Sequence, residues 1–125
     1  GQLIIADMVA TEKTKPWLNS QHRMKQFYSG RDEAVDGSCH IPTTEEWLDL
    51  LEENHYDAKI ADLHMSYVDT NDWLKSNQVT VPQLKSLNNM ILTAPDEARR
   101  VYNIREEGGS VKLDYPVVII KAIKR

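Results

Sequence analysis

The chain begins with an apolar run, Leu3-Ile4-Ile5, followed by Asp7 and then Met8-Val9. A run of this kind suits a buried strand covered on both faces, and residues 2–10 are expected to form one. Residues 11–16 are polar and end at Pro16, which predicts a loop. Trp17, Leu18, Met24 and Phe27 place apolar positions along 17–28, where a helix is expected. Residues 29–42, SGRDEAVDGSCHIP, are rich in glycine and aspartate and predict a long loop, a length often tied to function. The clearest helix is TTEEWLDLLEEN, residues 43–54. Thr43 can cap it, Glu46 completes a capping box, and Trp47, Leu48 and Leu51 share one face.

Residues 57–68 alternate in part, with Ile60, Leu63, Met65 and Tyr67 apolar, and predict a second strand. DTNDWLKS (69–76) reads as a short capped helix carrying Trp73. Leu84, Leu87, Ile91 and Ala94 form a helical stripe, and Pro95 suits the first turn of a further helix. Together these make a helical insert over 70–103. Gly108-Gly109 between β-like flanks signals a hairpin. The last segment, 115–124, is rich in Val and Ile and predicts a third strand, with Pro116 at its beginning. Its composition and that of the first strand suit cover on both faces. The first and second strands, separated by helices, are free to run parallel. The pattern is α/β, with three main strands, an extra hairpin and helices between them.

A chain of 125 residues is one domain, 1–125. The formal net charge of −4 gives no electrostatic footprint for nucleic acid. The basic end, with Lys121, Lys124 and Arg125, reads as a solvated terminus. A single cysteine, Cys39, excludes an intrachain disulfide and fits a reducing cytoplasm, the expected location. No apolar run approaches the roughly 18 residues of a membrane span, and the start lacks the pattern of a signal peptide. Neither nucleic acid nor a membrane is an expected partner.

Motifs with strong chemistry are absent. There is no glycine-rich phosphate loop, no Walker motif and no H-E-x-x-H, and His22, His40, His55 and His64 do not pair at metal-ligand spacings. Cys39 beside His40 reads first as a loop thiol next to a polar side chain, and only second as a nucleophile with its base. Asp7 closes the first strand at its carboxyl end, where ligands bind in open α/β sheets; failing a ligand, it pairs locally. Trp17 and Trp73 sit beside loops, where an aromatic side chain can roof a pocket. Trp47 lies on a helical apolar stripe and is expected in the core.

The order of these segments resembles the C-terminal half of class I S-adenosylmethionine-dependent methyltransferases, in the small-molecule branch that includes quinone-biosynthesis enzymes. The resemblance is carried by GQLIIADMVA, by IPTTEEWLDLLEENHYDAKIADLHMSYVDTNDWLKS, and by LTAPDEARRVYNIREEGGSVKLDYPVVIIKAIKR. It covers essentially the whole chain in order. It implies a partial Rossmann-like sheet made of the fifth, sixth and seventh strands of that fold. It also implies that the cofactor-binding half, with its glycine-rich turn and ribose-binding acid, precedes Gly1. The fifth strand would then carry one bare edge, because the fourth strand normally pairs there. In the family a D-P-S-H-x-R loop faces the methyl acceptor. Here DGSCHIP matches at Asp36 and Ser38, His40 is displaced by one position, and the arginine has no counterpart.

The leading expectation is therefore the acceptor-side portion of a small-molecule methyltransferase, inactive and without cofactor by itself. S-adenosylmethionine would serve the complete enzyme, His40 would be the catalytic candidate, and Asp7, Trp17 and Trp73 would be the substrate-side candidates. A different class of reading is a stand-alone interaction domain, a homodimer joined through the exposed edge of strand 2–10. A third is a small-ligand module built from loop 29–42 and the Trp73 region.

Overall fold

The computed structural model describes residues 1–28, 30 and 40–125. Among these, the elements are β1 (Gln2–Met8), α1 (Lys15–Tyr28), α2 (Thr44–Glu53), β2 (Tyr56–Asp69), α3 (Asn71–Lys75), α4 (Val81–Leu92), α5 (Asp96–Val101), β3 (Arg105–Glu107) and β4 (Ser110–Lys124). The strands form one antiparallel sheet in the order β1-β4-β2, with β3 paired to β4. β1 and β2 thus run in the same direction but never touch, because β4 lies between them, antiparallel to both. Gly108 and Gly109 close the β3–β4 hairpin with φ of 60° and 76°, a region that glycine enters without steric penalty.

β4 runs from Ser110, five residues before the expected start, so Pro116 falls in mid-strand rather than at the beginning. Its position has a local reason. The Pro116 carbonyl accepts from Val9 N–H at 3.0 Å, so the Pro116 nitrogen also faces β1. The β1–β4 ladder ends at Met8 and Val117, so the missing N–H falls where that ladder has stopped.

Side chains alternate across β4, and its two halves are buried on opposite faces. Val111, Leu113 and Tyr115 face a core formed with α1, α3, α4 and α5, including Leu18, Trp73, Leu87, Ile91 and Tyr102. Val118, Ile120 and Ala122 face a second core with Leu51 and Val9, supported by Trp47 and Ile5. The expected double cover of the first strand is absent among the described residues. Leu3 is 38% exposed on one face and Ile4 60% exposed on the other. α2 shields the side of β1 that carries Ile5; on the side that carries Ile4, Met8 alone packs against the helical core, at the strand's carboxyl end.

α2 is fixed at both ends. Thr43 accepts from Glu46 N–H, and Glu46 Oε1 accepts from Thr43 N–H at 3.0 Å, closing the expected capping box. His55, with φ of 67°, ends the helix in the left-handed region and donates its N–H to the Glu52 carbonyl at 3.0 Å. Lys15 reaches across from α1 to Glu46 at 2.6 Å. The hydrogen bond from Lys15, and after it the one from Thr43 N–H, holds the Glu46 carboxyl at about 2, down from 4.5.

Two outcomes test this account. Ile120→Ala removes a fully buried side chain and is expected to lower stability by about 2–5 kcal/mol, whereas Ile4→Ala changes it by no more than about 0.5 kcal/mol. Urea unfolding of both variants measures the difference, and equal losses would contradict the layer assignment. The second outcome concerns pH. The Glu46 contribution is complete above its unfolded value of 4.5 and is lost as pH falls through about 2. Glu46→Gln keeps an acceptor for the cap but does not titrate, so its unfolding midpoint should fall less steeply than wild type across that window.

Candidate functional site

The carboxyl end of β1 gathers the polar chemistry, because three chain segments are tied together there. Ala10 N–H donates to the Pro42 carbonyl at 2.8 Å, and Ala10 bridges Thr43 in parallel, which sets the start of α2 beside the end of β1. Asn19 on α1 bonds both backbone groups of Ile41, donating to its carbonyl at 3.0 Å and accepting from its N–H. These bonds fix the residues that follow His40. The exposed His40 ring lies with Nε2 3.7 Å from Glu46 Oε2, and Glu46 pairs in turn with Lys15. The imidazole thus stands beside a carboxylate that Lys15 keeps ionised. Beside this first turn of α2, Ala10, Thr11, Glu12, Thr44, Glu45 and Leu63 line most of a cleft of about 440 Å³.

On the other face of the sheet lies a buried aromatic and polar cluster. Trp17 stacks on Tyr102 with ring centroids 5.7 Å apart, and Tyr102 meets Tyr115 at 6.0 Å. Thr14 bonds the Tyr102 hydroxyl, and Tyr115 donates to Gln21 Oε1 at 3.1 Å. Burial pushes both phenols above their ordinary range, so both stay neutral hydroxyls. Trp17 Nε1 and Gln21 Nε2 are buried donors without an acceptor among the described residues. Such donors favour a carbonyl or another neutral oxygen in their vicinity.

The four sequence candidates fall in different surroundings. His40 stands at the rim, on the Glu46 carboxylate. Trp17 roofs the aromatic cluster. Asp7 is exposed on the α2 face, where its Oδ1 accepts from Met8 N–H at 2.8 Å. Trp73 is buried at 6% exposure, and Lys25 Nζ lies 4.6 Å from its ring centroid. Lys25 is eight positions beyond Trp17 on α1, about 12 Å along the helix axis, so Trp73 and Trp17 occupy separate places. Cys39, Asp36 and Ser38 lie outside the described residues, as does nearly all of loop 29–42.

Thr14, Gln21, Tyr102 and Tyr115 are additions that sequence reasoning missed. A signal was present. Thr14, Leu18 and Gln21 follow the i, i+4, i+7 spacing of one helix face, and polar residues on an apolar stripe mark a buried network. Reading only the apolar positions of that segment passed over it. Among the described residues, no group of three His, Cys, Asp or Glu side chains is placed to hold a metal. No helix there is long and apolar enough to cross a membrane.

No family model and no curated protein matches the chain. Solved structures do. The YcgJ protein from Bacillus subtilis superposes with a TM-score of 0.81 at 18% identity, over 100% of this chain and 51% of that one. A structure named "putative methyltransferase (BH2331)" from Bacillus halodurans C-125 gives a TM-score of 0.71 at 22% identity, over 98% of this chain and 55% of that one. The chain spans about half the length of each of these structures. It has the α/β fold of about half of the BH2331 structure, the partial sheet that the sequence resemblance implies.

Proposed function

We propose that this chain forms the acceptor-side half of an enzyme that transfers a methyl group from S-adenosylmethionine to a small molecule. The observation that carries the reading is the free edge of β1. Among the described residues this strand pairs with β4 alone and exposes apolar side chains on both faces, while the fold as a whole matches about half of each related structure. In this reading the rest of the sheet lies across that edge and holds the cofactor. The described residues do not fit the cofactor themselves, since no glycine-rich turn joins a strand to a helix. The acceptor would enter at the carboxyl end of β1. In this reading His40, 3.7 Å from Glu46, would take the proton that the acceptor's nucleophilic atom sheds as its bond to the methyl carbon forms and the methyl–sulfur bond breaks, with the sulfur leaving as a neutral thioether. The other groups around this end would hold the acceptor in line.

A second reading has β1 pairing with β1 of another copy. Exposed Ile4 and the free edge favour it equally, and an Ile4→Glu variant distinguishes it by its effect on assembly state.

Residues 1–125 alone are expected to give no binding heat with S-adenosylmethionine in calorimetry, and micromolar affinity would overturn the proposal. The coding sequence ahead of Gly1 provides an independent check. It should specify a strand followed by a glycine-rich turn, and an immediate start codon would count against the half-enzyme reading.

A further inference from the structure

β2 lies at the opposite margin of the sheet from β1, and its exposed apolar residues are arranged differently. Ile60, Leu63, Met65 and Tyr67 are 49%, 60%, 49% and 56% exposed. Their β4 partners are Ile120, Val118, Pro116 and Asp114, so all four stand on the same face of the sheet. α2 packs on that face and takes Tyr56 and Ala58 into its core, while its first turn meets Leu63 only across an open cleft. The other face of β2 is polar, with Asp57, Lys59, Asp62, His64 and Ser66. An exposed apolar stripe on an edge strand is a template for another strand.

The geometry points to a second copy of this chain as the occupant, paired antiparallel through β2 about a twofold axis at His64. The argument is one of register. The ladder to β4 slips between Ile60 and Asp62, so Ala61 is an extra residue, and Ile60 takes the next position on the Leu63 face. With the axis at His64, Leu63 faces Met65 of the second copy and Ile60 faces Tyr67. This is the one self-pairing register in which each of the four apolar residues meets another of the four. Moving the axis to Met65 sets Ile60 against Asp69, and moving it to Leu63 sets Tyr67 against Ala58. On the polar face Asp62 meets Ser66, Lys59 meets Val68, and no carboxylate or ammonium faces its like. The bulge at Ala61 pins this register and limits open-ended stacking. The inference does not depend on the methyl-transfer reading.

Cysteine cross-linking tests it in the intact protein, with Cys39→Ser removing the single native thiol. In the proposed dimer the two His64 Cα atoms lie about 4.5–5.5 Å apart, within the reach of a disulfide. The two Ser66 positions lie about 14 Å apart along the strands, beyond that reach. His64→Cys is therefore expected to yield a disulfide-linked dimer on mild oxidation, and Ser66→Cys is not. In sedimentation velocity, Leu63→Glu should shift the cysteine-free protein from dimer to monomer while its circular dichroism stays unchanged, since Leu63 supports no core. Cross-linking from both positions or from neither, or a dimer that survives Leu63→Glu, overturns the proposal. So does a dimer lost only on Ile4→Glu, which would move the interface to β1.

Discussion

The structure depends on β4 being buried on alternate faces along its length. Leu113, Val118, Ile120 and Ala122 have no exposed surface, yet they do not belong to one core. The buried set changes parity between Tyr115 and Pro116, so one strand is the floor of the helical insert at one end and of α2 at the other. Burying a Leu, Val or Ile side chain contributes roughly 1.5–3 kcal/mol, an upper bound relative to a compact unfolded chain. Both cores draw on the same backbone, so loosening β4 weakens the two together. The antiparallel insertion of β4 between β1 and β2 also makes the sheet continuous, because those two strands make no contact with each other.

This arrangement determines where chemistry gathers. The insert packs against the amino-terminal half of β4, which is antiparallel to β1, so the helices lie beyond the carboxyl end of β1. The same end receives the α2 cap, through Ala10, Pro42 and Thr43. Glu46 serves both roles. Its carboxylate closes the helix cap and reaches the His40 ring, and Lys15 keeps it charged while it does so. A comparable coupling operates further along the same end of the sheet, at the carboxyl end of β2. The Ser110 hydroxyl, with Asn71 N–H, holds Asp69 below the usual carboxylate range at the junction of β2 and α3.

Local order was legible in the sequence, and long-range arrangement was legible only where a motif carried it. The Thr43–Glu46 box, the Gly108-Gly109 turn and the Leu84, Leu87, Ile91 stripe are short-range signals, and each element formed where its signal lay. The antiparallel insertion of β4 has no short-range signature, since hydrophobic periodicity does not encode partner or direction. Pro116 was expected at a strand start because sequence does not show that the β1 ladder ends at Val117. At the candidate site, His40 and Trp17 drew notice by residue type and by their places beside loops. Gln21 and Tyr115 were not, because a hydrogen bond between residues 94 positions apart leaves no local pattern.

The two margins of the sheet differ in a way that separates their roles. β1 exposes Leu3 on one face and Ile4 on the other, and its ladder to β4 is regular throughout. Apolar surface on both faces is the composition of an interior strand, one with layers above and below and neighbours on each side. β2 is apolar on one face, polar on the other, and broken by a bulge, which is the composition of a margin. Along β1, α2 covers Ile5 on one face, Ile4 stands open on the other, and the edge away from β4 has no partner among the described residues, so a strand added there closes the edge and leaves Ile4 exposed. At β2 a strand with the same alternation closes the edge and sets its own apolar side chains beside Leu63 and Met65 on one face, so that edge and stripe are matched by a single partner.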